Sequence, residues 1–448
     1  MKARPVLALL AVMALGVSLA GCETVGKLNP FNKNSENKVK AAEGERIPLI
    51  AFNQKIEVSD ALKGQEFFLP DPQPVPSWPQ AGGQPDQWIG NLAAGGQFKV
   101  AWRKSFGEGS SRKAFVTSPP VAAEGVVVAL GFQIEVVAPD PLAGLGVQGR
   151  HARLGVHHID AAVGGGVAFA AGRLYVTSGY RFVAALDAAT GKVIWTTRVD
   201  TPIHGAPTVM NGRVMAINVD DELESFNIET GAQDWTYQAL TEPARILSAS
   251  SPTPAGDTVI AGFASGELAA LGSSNGNEEW ILTLSRTSRT NALSEIRDIA
   301  GRPVVYQGDV LAGSHSGMFM AVDIRTGAAR WSLPVTTITT PWPVGDVVYM
   351  VSQAGEVICA SRETGQVYWI TDLNKGLKKG ARALWFGPIL ASGRLIVVSD
   401  KGKALALDPK KGVRGASLNL GADALMPPIA VNGTLFVVTE KAELVAIR

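Results

Sequence analysis

Two cysteines, five histidines and a few acidic runs are the residues with which this 448-residue chain could do chemistry. Cys22 is the most informative. It closes the run Leu19-Ala20-Gly21-Cys22, behind the charged Lys2 and Arg4 and the apolar stretch from Val6 to Ala20. A charged start, an apolar stretch and small residues at its end are the layout of an export signal. Cys359 stands in the apolar run Val357-Ile358-Cys359-Ala360 and reads as a buried strand residue. Two cysteines are too few for a disulfide framework or a cysteine-rich zinc site. Asp220-Asp221-Glu222 has the composition of a cation site but the position of a solvated turn. His315-Ser316 has no G-x-S-x-G elbow around it and reads as a turn, not a nucleophile. Gly164-Gly165-Gly166 lacks the strand-to-helix context of a phosphate loop and reads as the opening of a strand. No acid–base pair can be named, so the expectation is a chain with no catalytic residue, no metal and no cofactor.

The run ending at Cys22 resembles the lipobox of bacterial lipoproteins, which implies a signal peptide over residues 1–21 and a lipid anchor on Cys22. Two or three acyl chains hold stably where one is marginal. In such lipoproteins an Asp after the cysteine marks inner-membrane retention; Glu23 stands there, which points to the outer membrane. Removing residues 1–21 takes away Lys2 and Arg4 and moves the net charge from +1 to −1. That balance leaves no basic footprint for nucleic acid. Beyond the N-terminus no apolar run fits a polytopic membrane protein, so the membrane contact is expected through lipid only. Residues 22–97 read as a tether. Asn32 to Lys38 is polar and aperiodic, and Pro70, Pro72, Pro74, Pro76 and Pro79 favour extended chain. The apolar patches Ile47 to Phe52 and Phe67-Phe68-Leu69 interrupt it and are suited to pack on the domain C-terminal to it.

A repeat supplies the elements. Thr190-Gly191-x-x-x-Trp195 recurs with Gly231 and Trp235, Gly276 and Trp280, Gly327 and Trp331, and Gly365 and Trp369. A degenerate copy has Gly412, with Ala416 where the tryptophan belongs. Each copy comes after two short β-rich runs separated by a glycine turn, the pattern of antiparallel hairpins. Four strands in a unit of roughly 40–45 residues is the signature of a propeller blade. Units open near Pro119, Val163, His204, Pro252, Pro303, Thr340, Gly387 and Pro427. The expected fold is therefore all-β: an eight-bladed propeller of four-stranded antiparallel blades over residues 98–448. The last unit ends before its tryptophan-bearing strand, and the run Phe98 to Trp102 precedes the first. Pairing the two closes the ring and removes an open edge. Trp102 then joins Trp195, Trp235, Trp280, Trp331 and Trp369 as a docking tryptophan, buried against its neighbour.

The repeat fails once. After Val126-Val127-Val128 no T-G-x-x-x-W copy is present, and residues 131–162 are irregular. His151, His157 and His158 fall there without the carboxylate or cysteine spacing of a metal site. Divergence of one blade and a compensated reading-frame excursion both account for the gap. The excursion fits a composition that loses the repeat while keeping its length.

The motif from Ala185-Leu186-Asp187 to Trp195 resembles the tryptophan-docking repeat of quinoprotein-like propellers. Dehydrogenases with that repeat need a catalytic Asp, a calcium site and often adjacent cysteines, and this sequence has no adjacent pair. A quinone-dependent periplasmic dehydrogenase is the alternative reading. Lipobox, linker, size and blades together resemble the BamB family, the propeller lipoproteins of the outer-membrane β-barrel assembly machinery. The resemblance implies a non-catalytic scaffold anchored by lipid on the periplasmic side of the bacterial outer membrane. It implies docking on the POTRA domains of BamA and help in folding and inserting β-barrel client proteins. The family's contact loops carry over onto Ile246 and Asp298, with Leu247 and Ala300 departing from the family pattern.

Overall fold

The computed structural model describes residues 56–83, 90–106, 109–110, 119–129, 164–242, 250–285 and 296–448. By its internal contacts the chain divides into Met1–Gln54, outside the described residues, and Lys55–Arg448. Cys22 and its lipobox, Ile246 and the irregular segment 131–162 also lie outside the described residues.

The described residues are β-structure in antiparallel blades. β1 (Val100–Ser105) precedes a two-stranded sheet, β2 (Val121–Ala123) and β3 (Val126–Val128). Six blades of four consecutive strands come next. The first is β4 (Gly165–Ala170), β5 (Arg173–Ser178), β6 (Phe182–Asp187) and β7 (Val193–Arg198). The second is β8 (Thr208–Met210), β9 (Arg213–Ile217), β10 (Glu222–Asn227) and β11 (Gln233–Gln238). The third is β12 (Thr253–Ala255), β13 (Thr258–Gly262), β14 (Glu267–Gly272) and β15 (Glu278–Thr283). The fourth is β16 (Val304–Tyr306), β17 (Asp309–Gly313), β18 (Phe319–Asp323) and β19 (Ala329–Leu333). The fifth is β20 (Trp342–Val344), β21 (Val347–Val351), β22 (Glu356–Ser361) and β23 (Val367–Asp372). The sixth is β24 (Trp385–Ala391), β25 (Arg394–Ser399), β26 (Lys403–Leu407) and β27 (Arg414–Asn419). The seventh holds β28 (Ile429–Val431), β29 (Thr434–Thr439) and β30 (Glu443–Ile447), and β1 pairs antiparallel with β30 as its fourth strand.

Packing explains the composition of the strands. Middle strands such as β9 and β22 are buried along almost their whole length, because a blade is covered by neighbours on both faces. The apolar cores accordingly lie between blades. Tyr175, Val183 and Trp195 of one blade share a cluster with Val214, Ala216 and Phe226 of the next. Outer strands read differently. In β7 and β15 the tryptophan is buried while most of its strand neighbours are exposed or half-buried.

The eight four-stranded blades expected from the sequence are corrected to seven. The eighth position is held by β2 and β3, which pack on one side with Phe436 and Val431 and on the other with Val167 and Phe169. The physical reason is in the chain: no T-G-x-x-x-W copy lies in the sequence between β3 and β4. Trp102 is changed by the same gap. It pairs with Ala446 and lies 5.9 Å from the ring of Phe436, but it is half-buried and its indole N–H has no partner.

Part of the segment read as a tether lies on the propeller. Phe67, Val75, Trp78 and Leu92 are buried in the same cluster as β21, β25 and β29. The Phe67 ring meets Tyr368 at 4.7 Å. The Leu92 N–H donates to the Leu390 carbonyl at 3.0 Å. The extended, proline-rich chain has few bonds of its own, so these apolar anchors fix it.

Candidate functional site

The recurring turn is a joint between blades. In the first full blade the Asp187 carboxylate accepts from the Thr190 N–H at 2.7 Å and its hydroxyl at 2.6 Å. These bonds hold the Asp187 carboxyl below the usual range. Asn227 and Asp323 accept from Thr230 and Thr326 in the same way. The glycine that ends the turn, after a threonine at Gly191, Gly231, Gly327 and Gly365 and after Asn275 at Gly276, has φ near +70°. From Gly231 onward each of these glycines also faces the tryptophan of the preceding blade. A Cβ on Gly276 would stand 2.5 Å from the Trp235 ring. The tryptophan N–H then closes the joint: Trp195 donates to Ile228 O at 3.1 Å, Trp280 to Ile324 O at 2.7 Å, and Trp331 to Arg362 O at 2.7 Å. Trp235 and Trp369 donate likewise to Ser273 O and Pro409 O, both at 3.2 Å.

A bulge aims each tryptophan. The register slips by one residue between Ala185 and Leu186, and again between Ser225 and Phe226, Ala270 and Leu271, Ala321 and Val322, and Cys359 and Ala360. The residue opposite each tryptophan is small: Ala185, Ser225, Ala270, Ala321 or Cys359. Cys359 is thus one more occupant of a small-residue slot, and burial pushes its thiol pKa well up. Its chemistry is that of a buried hydrophobe.

The joints leave the connections free to differ. Turns such as Asp220-Asp221 and Ser265-Gly266 bond to the chain leaving each outer strand, as in Ala239 N–H to Asp221 O at 3.0 Å and Leu284 N–H to Gly266 O at 2.7 Å. One set of connections therefore carries these turns together with the segments between blades. Asp221 is buried, not solvated as its sequence suggested. Its carboxylate accepts from the Ala264 N–H at 2.9 Å and the Glu242 N–H at 3.3 Å, joining two blades. Among the described residues no cluster of His, Cys, Asp or Glu is arranged to hold a metal ion.

On this set of connections Leu240 is 69% exposed. Its backbone is fixed, because its N–H donates to Glu267 at 2.7 Å and Glu267 accepts from the Ser265 hydroxyl at 3.0 Å. Leu240 is thus an apolar side chain turned outward on a fixed loop. Sequence reasoning missed it, because a lone leucine after β11 carries no pattern. Ile246, expected here, falls in the same connection but outside the described residues. Asp298 lies in the connection between β15 and β16 and is buried, with its backbone carbonyl accepting from the His315 N–H at 2.9 Å. Asp298 is 2% exposed. Beneath the Asp221 turn, Glu224 is buried with one oxygen bonded to the Asn218 amide at 2.7 Å. Burial pushes its pKa up to about 7; the Asn218 bond opposes this, while Glu222 and Asp200 add to it.

His315 and Ser316 form a turn, with the serine hydroxyl donating to Leu284 O at 3.1 Å and the imidazole bonded to Gln353 at 3.1 Å. Gly165 opens β4.

A protein-family profile described as outer membrane protein assembly factor BamB matches residues 148–371, half of the chain. BamB of Moranella endobia is 28% identical over 209 residues, which cover 47% of this chain and 54% of the relative. The chain thus spans about half the length of that curated relative. The crystal structure of BamB from Moraxella catarrhalis superposes with a TM-score of 0.65 at 17% identity, over 78% of this chain and 99% of that one. A quinohemoprotein alcohol dehydrogenase from Comamonas testosteroni gives 0.62 at 14% identity, over 83% and 80%. At these identities the two structures speak for the fold.

Proposed function

The chain belongs to the family of outer membrane protein assembly factor BamB, and we propose that it serves as a non-catalytic scaffold subunit of the outer-membrane protein assembly machinery. It docks on the periplasmic POTRA domains of BamA and assists the folding and insertion of β-barrel clients. The observation that carries this reading, beyond family membership, is the division of labour in the fold. Blades are locked by repeated joints, and the connections bearing Leu240 are held by backbone bonds with an apolar side chain turned outward. The repeat serves rigidity, and the connections are left for recognition.

The scaffold is held by acyl chains on Cys22 to the periplasmic face of the outer membrane, with residues 1–21 removed as the signal peptide. The segment read as a tether, residues 22–97, joins this anchor to the propeller. Cys22→Ser is expected to block lipid labelling and leave an uncleaved precursor; normal processing of that variant would sink the anchor. Capture of the full-length protein from solubilised outer membranes, with partners identified by mass spectrometry, tests the scaffold. Recovery of BamA is expected, and its absence under conditions that retain other assembly subunits contradicts docking. The dehydrogenase alternative rests on likeness at 14% identity, which carries fold and not chemistry.

A further inference from the structure

The chain entering each blade converges on a cavity of about 330 Å³. Its walls are largely apolar and include Trp78 from the N-terminal segment with Trp342, Phe386, Ile389 and Met426. Arg302 is also in the wall and is only 5% exposed. One of its terminal nitrogens donates to the Thr253 hydroxyl at 3.3 Å. The other, Nη2, has no partner, and no carboxylate pairs with the guanidinium. Gly82 makes room for it: a Cβ there would sit 2.0 Å from Cζ. Burial lowers the Arg302 pKa to about 10, so the group remains charged at neutral pH.

A buried cation with no counterion is costly, so a fold that keeps one usually supplies it with an anion. Here Arg302, with one donor unpaired, is part of the wall of a cavity of the size that small ligands occupy. We propose that the cavity binds a small organic monocarboxylate, its carboxylate on Arg302 and its aromatic or aliphatic body against the tryptophans. A monoanion suits the site because, among the described residues, Arg302 is the one Arg or Lys in the wall. A planar carboxylate matches the guanidinium fork better than a point charge would. The rest of the wall favours a body without further charge.

The test uses the full-length protein in a neutral detergent, with 2-naphthoate as probe and isothermal titration as readout. One saturable site is expected. The isosteric neutral 2-naphthamide should bind at least about tenfold more weakly, because it leaves the cation uncompensated. Arg302→Gln should lower naphthoate affinity by a similar factor and bring the two probes to parity, with the circular dichroism unchanged. If Arg302→Gln fails to fold, the comparison of the two probes on the parent decides. Absence of saturable binding, equal affinity for the amide, or undiminished binding by Arg302→Gln overturns the proposal. Displacement of naphthoate by equimolar inorganic phosphate also overturns it, since the site would then be a general anion hole.

Discussion

The glycine of each blade joint meets two demands at one position. Gly276 needs φ of +70° and has no room for a Cβ beside Trp235, whereas Gly308 has φ of +86° and nothing within 4 Å. The pair separates conformational strain from lost docking. Gly308→Ala should cost about 1 kcal/mol from the left-handed backbone. Gly276→Ala should cost roughly 2–4 kcal/mol, because it also pushes the indole out of its slot. Urea midpoints of the two variants check this; equal losses would show that the tryptophan contact contributes nothing. Glu224 gives a second prediction at this scale. Its pKa rises from 4.5 unfolded to about 7 folded. The fold therefore prefers the protonated form: its contribution is fully present below pH 4.5 and is lost as pH rises through 7. Wild type should lose on the order of 2 kcal/mol across that window relative to Glu224→Gln, allowing for partial solvent screening. Denaturation at pH 4.5, 6 and 8 measures it, and a difference that stays flat with pH removes Glu224 as the cause.

Strands and joints were legible in the sequence where a pattern repeats, and illegible where one residue acts alone. The T-G-x-x-x-W copies fix where outer strands begin, so the blades from β4 to β23 can be placed from five glycines and five tryptophans. The pairing of β1 with β30 could be read from a strand missing at one end and spare at the other. The bulge opposite each tryptophan was not legible, since a one-residue slip leaves no mark on composition. Nor was the exposure of Leu240 or the burial of Asp298, which depend on neighbours distant in sequence. The joints also rank the tryptophans. Trp369 is 8% exposed and donates to Pro409 O, while Trp102 is half-buried with its N–H unpaired beside β2 and β3. Trp369→Ala should cost about 3–5 kcal/mol and Trp102→Ala about 1–2 kcal/mol. Equal costs would mean that Trp102 is docked as fully as the others. The nucleotide sequence encoding residues 131–162 bears on the same blade. A neighbouring frame that encodes an A-x-D-x-x-T-G-x-x-x-W copy identifies an excursion, and its absence leaves divergence.

For the whole molecule, the joints make one rigid body from blades that each bury little by themselves, and rigidity is what a docking platform needs. Loops fixed before binding lose little entropy when a partner arrives, so a few apolar side chains suffice for affinity. The proposed lipid anchor bears on the same equilibrium: two proteins held at one membrane meet at a raised effective concentration. Anchor and docking surface therefore contribute separately, and a surface variant is best read with the anchor intact. Leu240→Asp combined with Ile246→Asp puts two charges where the proposed BamA contact is apolar. It should lower BamA recovery at least about tenfold, the loss expected when anchors of an interface are reversed. The melting temperature should hold within a few degrees, since Leu240 is 69% exposed. Arg325→Glu is the matched control. Its side chain is 84% exposed on a joint turn, away from the connections that bear Leu240. It should leave BamA recovery unchanged. If the double variant copurifies with BamA as the parent does, or if Arg325→Glu loses BamA equally, the docking surface lies elsewhere on the ring.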